Sequence, residues 1–160
     1  MILIAYDGSD DAKAAIEGAG RLFPGQDATV VTVWQHFVDT MARFGGGVAV
    51  VVDYDEIDAS SAEMAGEKAG EGVALARNAG LAAVAATAVV ATTVSAAILD
   101  KADEIDATAV VLGSRGFTGV KSLMLGSVSH HVVQHADRPV VVIPSPAVVA
   151  ARRAHHDSLK

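Results

Sequence analysis

At 160 residues the chain is most simply one domain, long enough to bury a core, and its net charge of −7 argues against charge-driven binding to nucleic acid or to an anionic membrane. It has no cysteine, which excludes a disulfide frame and thiol chemistry, and its composition is 51% apolar but only 4% aromatic, so the core must be Val, Ala, Ile and Leu. The first residues carry neither a basic region nor a long apolar segment, and no apolar run reaches the ~20 residues of a membrane span. The expected compartment is the cytoplasm.

In chain order, Ile2 to Tyr6 is a short apolar run with both faces apolar, which predicts a central strand ending in Asp7-Gly8. Ser9 is placed to cap a helix with Asp10 and Asp11 in its first turn. Ala12, Ala15, Ile16, Ala19, Leu22 and Phe23 recur at helical spacing as one inward stripe, with Lys13, Glu17 and Arg21 opposite, and Pro24-Gly25 closes the helix. Ala28 to Trp34, rich in β-branched residues, predicts strand two. From Gln35 to Asp55 the pattern breaks. Phe44 to Gly47 demands a tight or flexible turn, and Val48 to Val52 fits a short strand or part of a lid beside the ligand end.

Ile57 to Ala79 predicts a long helix whose inward stripe is Ala62, Ala65, Ala69, Val73 and Ala76, closed by Gly80. Gly66, Gly70 and Gly72 each cost about 1 kcal/mol relative to Ala, and close approach to the sheet is the expected compensation. Ala83 to Val90 predicts strand three. Thr92 or Thr93 caps the next helix, with Val94, Ile98, Ala102 and Ile105 inward. Thr108 to Leu112 predicts strand four, Val128 to Ala136 a fourth helix with Val128, Val132, Val133 and Ala136 inward, and Val140 to Ile143 strand five. Five strands alternating with four helices predict an α/β fold: a parallel sheet with helices on both faces. Ala147 to Lys160 is expected to be a tail, with a short helix at its Ala-rich start, otherwise disordered or packed on a partner chain.

The stretch from Gly113 to Ser127 joins the carboxyl end of strand four to the amino end of a helix. Open α/β sheets bind ligands at that end. Its four glycines allow close approach of the main chain, and N–H groups backed by a helix amino terminus suit an anion. The stretch therefore reads as a phosphate cradle, with Arg115 and Lys121 as its cations.

The spacing of Gly113, two residues, Gly116, nine residues, Gly126 and Ser127 resembles the nucleotide motif of the universal stress protein family, ATP-binding type. The opening Tyr6-Asp7-Gly8-Ser9 is similar to that family's first strand and turn, and the likeness covers residues 1–144, weakest between Gln35 and Ile57. It divides the chain into a nucleotide-binding domain over 1–146 and a tail over 147–160. The resemblance implies the strand order 3-2-1-4-5, ATP with or without Mg2+ as ligand, and a homodimer paired through Val140, Val141, Val142 and Ile143. The implied site comprises Ala5, Asp7, Val33, Gly113, Arg115, Gly116, Gly126, Ser127 and Val128.

Each role has a plainer alternative. Asp7 accepts from ribose hydroxyls, or only closes its own Asp-Gly-Ser turn. Val33 offers main-chain groups to adenine, or is a core valine. Gly113 and Gly116 lie along ribose and phosphates, or serve a tight turn. Ser127 is helix cap, phosphate ligand or both. Arg115 pairs with a phosphate or is an exposed loop arginine, and Lys121 is expected to face solvent.

Other motifs fail on spacing. No Gly-Lys-Ser/Thr closes a P-loop, because Val120 precedes Lys121-Ser122, and the first turn has only Gly8 where a dinucleotide fingerprint needs three glycines. No Gly-x-Ser-x-Gly elbow is present. His131 and His135, four apart, have the spacing of a metal pair, but they sit at the margin of the inward stripe with no third ligand near, which favours a solvated helix edge. Between Gly113 and Ser129 there is no Asp, Glu or His, so ATP hydrolysis is expected to be slow at best. The leading expectation is a nucleotide-dependent binding or regulatory module. The alternatives are a slow ATPase and a structural dimer module in which nucleotide plays no part.

Overall fold

The computed structural model describes residues 1–43, 53–90, 93–116 and 125–158. Five parallel strands, β1 Ile2–Ala5, β2 Asp27–Gln35, β3 Ala82–Val90, β4 Ala109–Gly113 and β5 Val140–Ile143, form one sheet in the order β3-β2-β1-β4-β5. This is the order the family resemblance implied. Because strand side chains alternate between faces, β1 sends Ile2 and Ile4 to one layer and Leu3 and Ala5 to the other. Ile2, Leu3 and Ile4 are at most 1% exposed, and burying each is worth ~1.5–3 kcal/mol, so β1 has no face that tolerates charge.

Helices α1 Asp10–Leu22 and α3 Tyr54–Asn78 cover the first face; α4 Val94–Glu104 and α5 Ser127–His135 cover the second. Ser9 caps α1 by accepting from the Ala12 N–H at 3.2 Å, and Thr93 caps α4 by accepting from the Ala96 N–H at 3.2 Å. Thr92, the alternative cap, lies outside the described residues. Gly72 explains how α3 lies against the sheet: a Cβ there would stand 2.8 Å from Val30 Cγ1 and 2.9 Å from Tyr6 Cδ1. Gly66 and Gly70 have open space around them, so the close-packing expectation holds for Gly72 alone. Two other stripe residues also turn outward: Leu22 is 58% and Val133 47% exposed, while Ser129 takes the inward place on α5.

The described chain has two helices more than the four expected. α2 Phe37–Arg43 follows β2, and Asp58 of α3 holds its start by accepting from the Phe37 N–H at 2.8 Å and meeting His36 Nδ1 at 2.7 Å. The Phe44 to Gly47 turn and the Val48 to Val52 strand or lid fall outside the described residues. α6 Pro146–Asp157 replaces the expected largely irregular tail: Pro sits in its first turn, and Val148 is 1% exposed, so this segment is ordered on its own chain. Among the described residues no helix is long and apolar enough to cross a membrane.

Candidate functional site

The strand order creates the site. From β1 the chain crosses to β2 on one side, and from β4 to β5 on the other. The loops leaving the carboxyl ends of adjacent β1 and β4 therefore diverge and leave a crevice. A cavity of about 300 Å³ lies there, and all nine residues singled out in the sequence line it: Ala5, Asp7, Val33, Gly113, Arg115, Gly116, Gly126, Ser127 and Val128. Lys121 lies outside the described residues.

One wall is main chain. Ser114, fully buried after β4, donates its N–H to Ile143 O at 3.1 Å, and its carbonyl accepts from the Gly126 N–H at 2.8 Å. Ser129 Oγ donates to Gly113 O at 2.8 Å. These bonds bring the amino end of α5 against the start of the loop although Ser114 and Gly126 are twelve positions apart in sequence. The cap of α5 is Gly126, with no side-chain cap bond, and Ser127 is the first helical residue. That corrects the expectation that Ser127 caps the helix. The first-turn N–H groups of a helix have no partner within it, so the uncapped start of α5 presents donors and the positive end of its dipole to the cavity.

The glycines differ in what they do. A Cβ at Gly113 would stand 2.7 to 2.8 Å from the main chain and Cβ of Asp11, so this glycine is required by the packing of α1 on β4. A Cβ at Gly116 would meet Asp7 Oδ2 at 2.7 Å. At Gly126 the nearest atom would be Arg115 Cα at 3.4 Å, an ordinary contact. Of these three glycines, packing of the main chain demands Gly113 alone.

The opposite wall is aliphatic: Ala5, Val31, Val33, Leu112 and, from α4, Val94 and Ile98. Val94 and Ile98 have the inward spacing expected of α4, yet periodicity alone does not say which inward residues lie beyond the end of the sheet. Asp7 also lines the cavity. Its Oδ1 accepts from the Ser9 N–H at 2.9 Å, which is the turn-closing role, while Oδ2 faces Gly116. The two readings of Asp7 therefore use different oxygens of one carboxylate. Tyr6 also lines the cavity, but its hydroxyl donates to Glu71 Oε1 at 2.7 Å, and burial followed by that bond raises its pKa well above the ordinary phenol value. Tyr6 is thus neutral at physiological pH and is not a base.

Asp11 was read in sequence only as a charge in the first turn of α1. It is 7% exposed and accepts from Ser114 Oγ at 2.6 Å. Among the described lining residues the titratable side chains are Tyr6, Asp7 and Arg115. The cavity can hold an apolar planar group against its aliphatic wall, hydroxyls at Asp7 and an anion at the start of α5. His131 and His135 lie away from it, exposed and stacked on each other with ring centroids 4.0 Å apart, and among the described residues no group of three or more His, Asp or Glu is placed to hold a metal.

Residues 1–144 match the model of the universal stress protein family. The chain is 35% identical over 150 residues to the universal stress protein YxiE of Bacillus subtilis, covering 89% of this chain and 97% of that one. A universal stress protein structure from Archaeoglobus fulgidus is 30% identical, with a TM-score of 0.61 over 89% of this chain and 96% of that chain. A structure from the same organism in complex with dAMP is 26% identical, with a TM-score of 0.55 over 89% of this chain and 95% of that chain.

Proposed function

The chain belongs to the universal stress protein family, and from that premise we propose that it is an ATP-binding module whose bound nucleotide governs its partners or assembly in a stress response. The observation that carries the reading is that one cavity is lined by an aliphatic slot, a carboxylate and an uncapped helix start, surfaces that suit a base, a ribose and a phosphate chain. The dAMP complex of the Archaeoglobus fulgidus relative supports the adenine class of ligand.

In this reading adenine lies against Val33, Val94 and Ile98, with main-chain groups of β2 reading its edge. Ala5, at the end of β1, floors the slot. Asp7 Oδ2 accepts from the ribose. The main chain at Gly113 and Gly116 follows the ribose and phosphates, and Gly126, Ser127 and Val128 bind the phosphate chain, with Ser127 adding an exposed hydroxyl. Arg115, half-buried at the rim, supplies positive charge. Mg2+, where it accompanies the triphosphate, would be held by phosphate oxygens and water and would offset the phosphate charge. Asp7 is the one carboxylate among the described lining residues, and it is engaged by the turn and the ribose. Among the described lining residues no other acid is placed to orient an attacking water, so in this reading the protein binds ATP and hydrolyses it slowly at best.

The unit acts in the cytoplasm, with residues 1–146 as the nucleotide-binding domain and 147–160 as an appendage. Two copies pair through β5, an edge strand whose Val140, Val141, Val142 and Ile143 are only half-buried. Edges of this kind are usually covered. Sedimentation at several concentrations tests the pair, and a clean monomer refutes it. For the ligand, mass spectrometry of small molecules released from freshly purified protein is expected to find an adenine nucleotide. Finding none, together with no heat on titrating ATP with Mg2+, overturns the proposal.

A further inference from the structure

Behind the phosphate-side wall lies a side-chain bond that no turn or cap requires. Asp11 stands in the first turn of α1, where Ser9 already caps the helix. Asp11 is 7% exposed, and its Oδ2 accepts from Ser114 Oγ at 2.6 Å across 103 residues of sequence. A buried carboxylate is costly without partners, so this bond compensates for that cost. Ser114 in turn is tied by its N–H to β5 and by its carbonyl to Gly126 at the start of α5. The Asp11 contact is thus the side-chain fastening of a residue on which β4, β5 and the head of α5 converge.

We infer that Asp11 is a positioning residue for the phosphate end of the nucleotide site: through Ser114 it fixes where the Arg115-Gly116 main chain and the Gly126 N–H stand relative to each other. This rests on the ATP-binding reading. Asp11 touches no nucleotide itself. Its influence is local to the loop, because the aliphatic slot and Asp7 are held by β1, β2 and α4, to whose described residues Ser114 makes no hydrogen bond. Loss of the bond should therefore lower the affinity for the phosphates and spare that for the nucleoside.

The test is calorimetric titration of the full chain with Mg-ATP and, separately, with adenosine. Asp11→Ala and Ser114→Ala are expected to lower ATP affinity by roughly tenfold or more while adenosine affinity stays within about twofold, the size set by losing a hydrogen bond to a charged group. Asp11→Asn, which keeps an acceptor for Ser114 Oγ, is expected to recover most of the ATP preference. General loosening of the fold would lower both affinities together, so the ratio separates positioning from stability. Should Asp11→Ala not fold, Ser114→Ala removes the same bond from its other side. An unchanged ATP-to-adenosine ratio in the folded variants overturns this inference alone. Failure of the wild-type protein to bind either ligand overturns the nucleotide reading and this inference with it.

Discussion

Asp7 Oδ2 lies 2.7 Å from the point a Cβ on Gly116 would occupy, so the first strand's carboxylate and the fourth strand's loop close on each other with no room for a methyl group. The obstructing atom is the far end of a side chain, and Gly116 does not have positive φ. Gly116→Ala should consequently fold, with a melting temperature within a few degrees of wild type, because the carboxylate can swing aside. Adenosine affinity is expected to fall by about tenfold, in line with losing a hydrogen bond to a charged acceptor. Calorimetry and a thermal melt on the same sample check both halves. Unchanged adenosine binding would remove Asp7 from the ribose site.

Gly113 and Gly126 should separate in the opposite way. At Gly113 the obstruction is the Asp11 main chain, which cannot swing aside, so Gly113→Ala is expected to cost ~1–3 kcal/mol of stability by overpacking. Gly126→Ala meets only ordinary contacts, and its stability cost is limited to about 1 kcal/mol for a poorer helix cap. Its added methyl instead crowds the phosphate approach, so it should weaken ATP more than adenosine. Urea unfolding and the two titrations measure this. Equal stability losses in the two variants would mean that both glycines serve the fold alone.

The parallel sheet was legible because its strands are short apolar runs alternating with helical patterns, and the crevice because β1 ends at Asp7-Gly8 and the glycine spacing falls after the fourth strand; the strand order came from the family resemblance and not from the pattern. What escaped was set by tertiary contact. The seven-residue helix α2 depends on Asp58, twenty-one residues from Phe37, and no local pattern announces it. Ser127 as cap was off by one residue, since Gly126 and Ser127 are both plausible helix starters and the choice is made by the Gly126 bond to Ser114. Asp11 was legible only as a first-turn acid because helical periodicity does not reveal that Ser114, just after β4, comes within a hydrogen bond of that turn.

Asp58 makes the docking of α2 sensitive to acid. The Phe37 N–H first, and His36 second, hold the Asp58 carboxyl below its ordinary value of 3.8. A carboxyl depressed in the folded state stabilises above its unfolded pKa, and that contribution disappears as pH falls through the lower folded value. Release of α2 is thus expected in acid below the unfolded carboxyl value. Trp34, the chain's one tryptophan, packs edge-on against His36 with ring centroids 5.1 Å apart and should report the release by fluorescence. Asp58→Ala, which removes both acceptors, should show the acid-form spectrum already at neutral pH, with far-ultraviolet dichroism close to wild type. A wild-type spectrum in that variant would refute the clamp.

Arg138 offers the reverse test, a change in stability without a change in binding. It precedes β5 at the end of the sheet remote from the cavity, and its side chain is 15% exposed. Nη1 donates to the carbonyls of Ala102 at 2.8 Å and Ala107 at 3.0 Å, Nη2 pairs with Asp103, and Nε donates to Asp137 at 2.8 Å. The planar guanidinium thus ties the end of α4 to the approaches of β4 and β5, and a lysine, with one nitrogen, can satisfy only part of that set. Arg138→Lys is expected to lower the melting temperature by several degrees. Because α4 also carries Val94 and Ile98 into the adenine slot, binding is the informative readout. If α4 is held chiefly by Ile98 and Ala102 packed against the sheet, as their burial indicates, adenosine affinity stays at the wild-type level. A matching loss of affinity would instead show that the slot depends on the Arg138 tether at the opposite end of the helix.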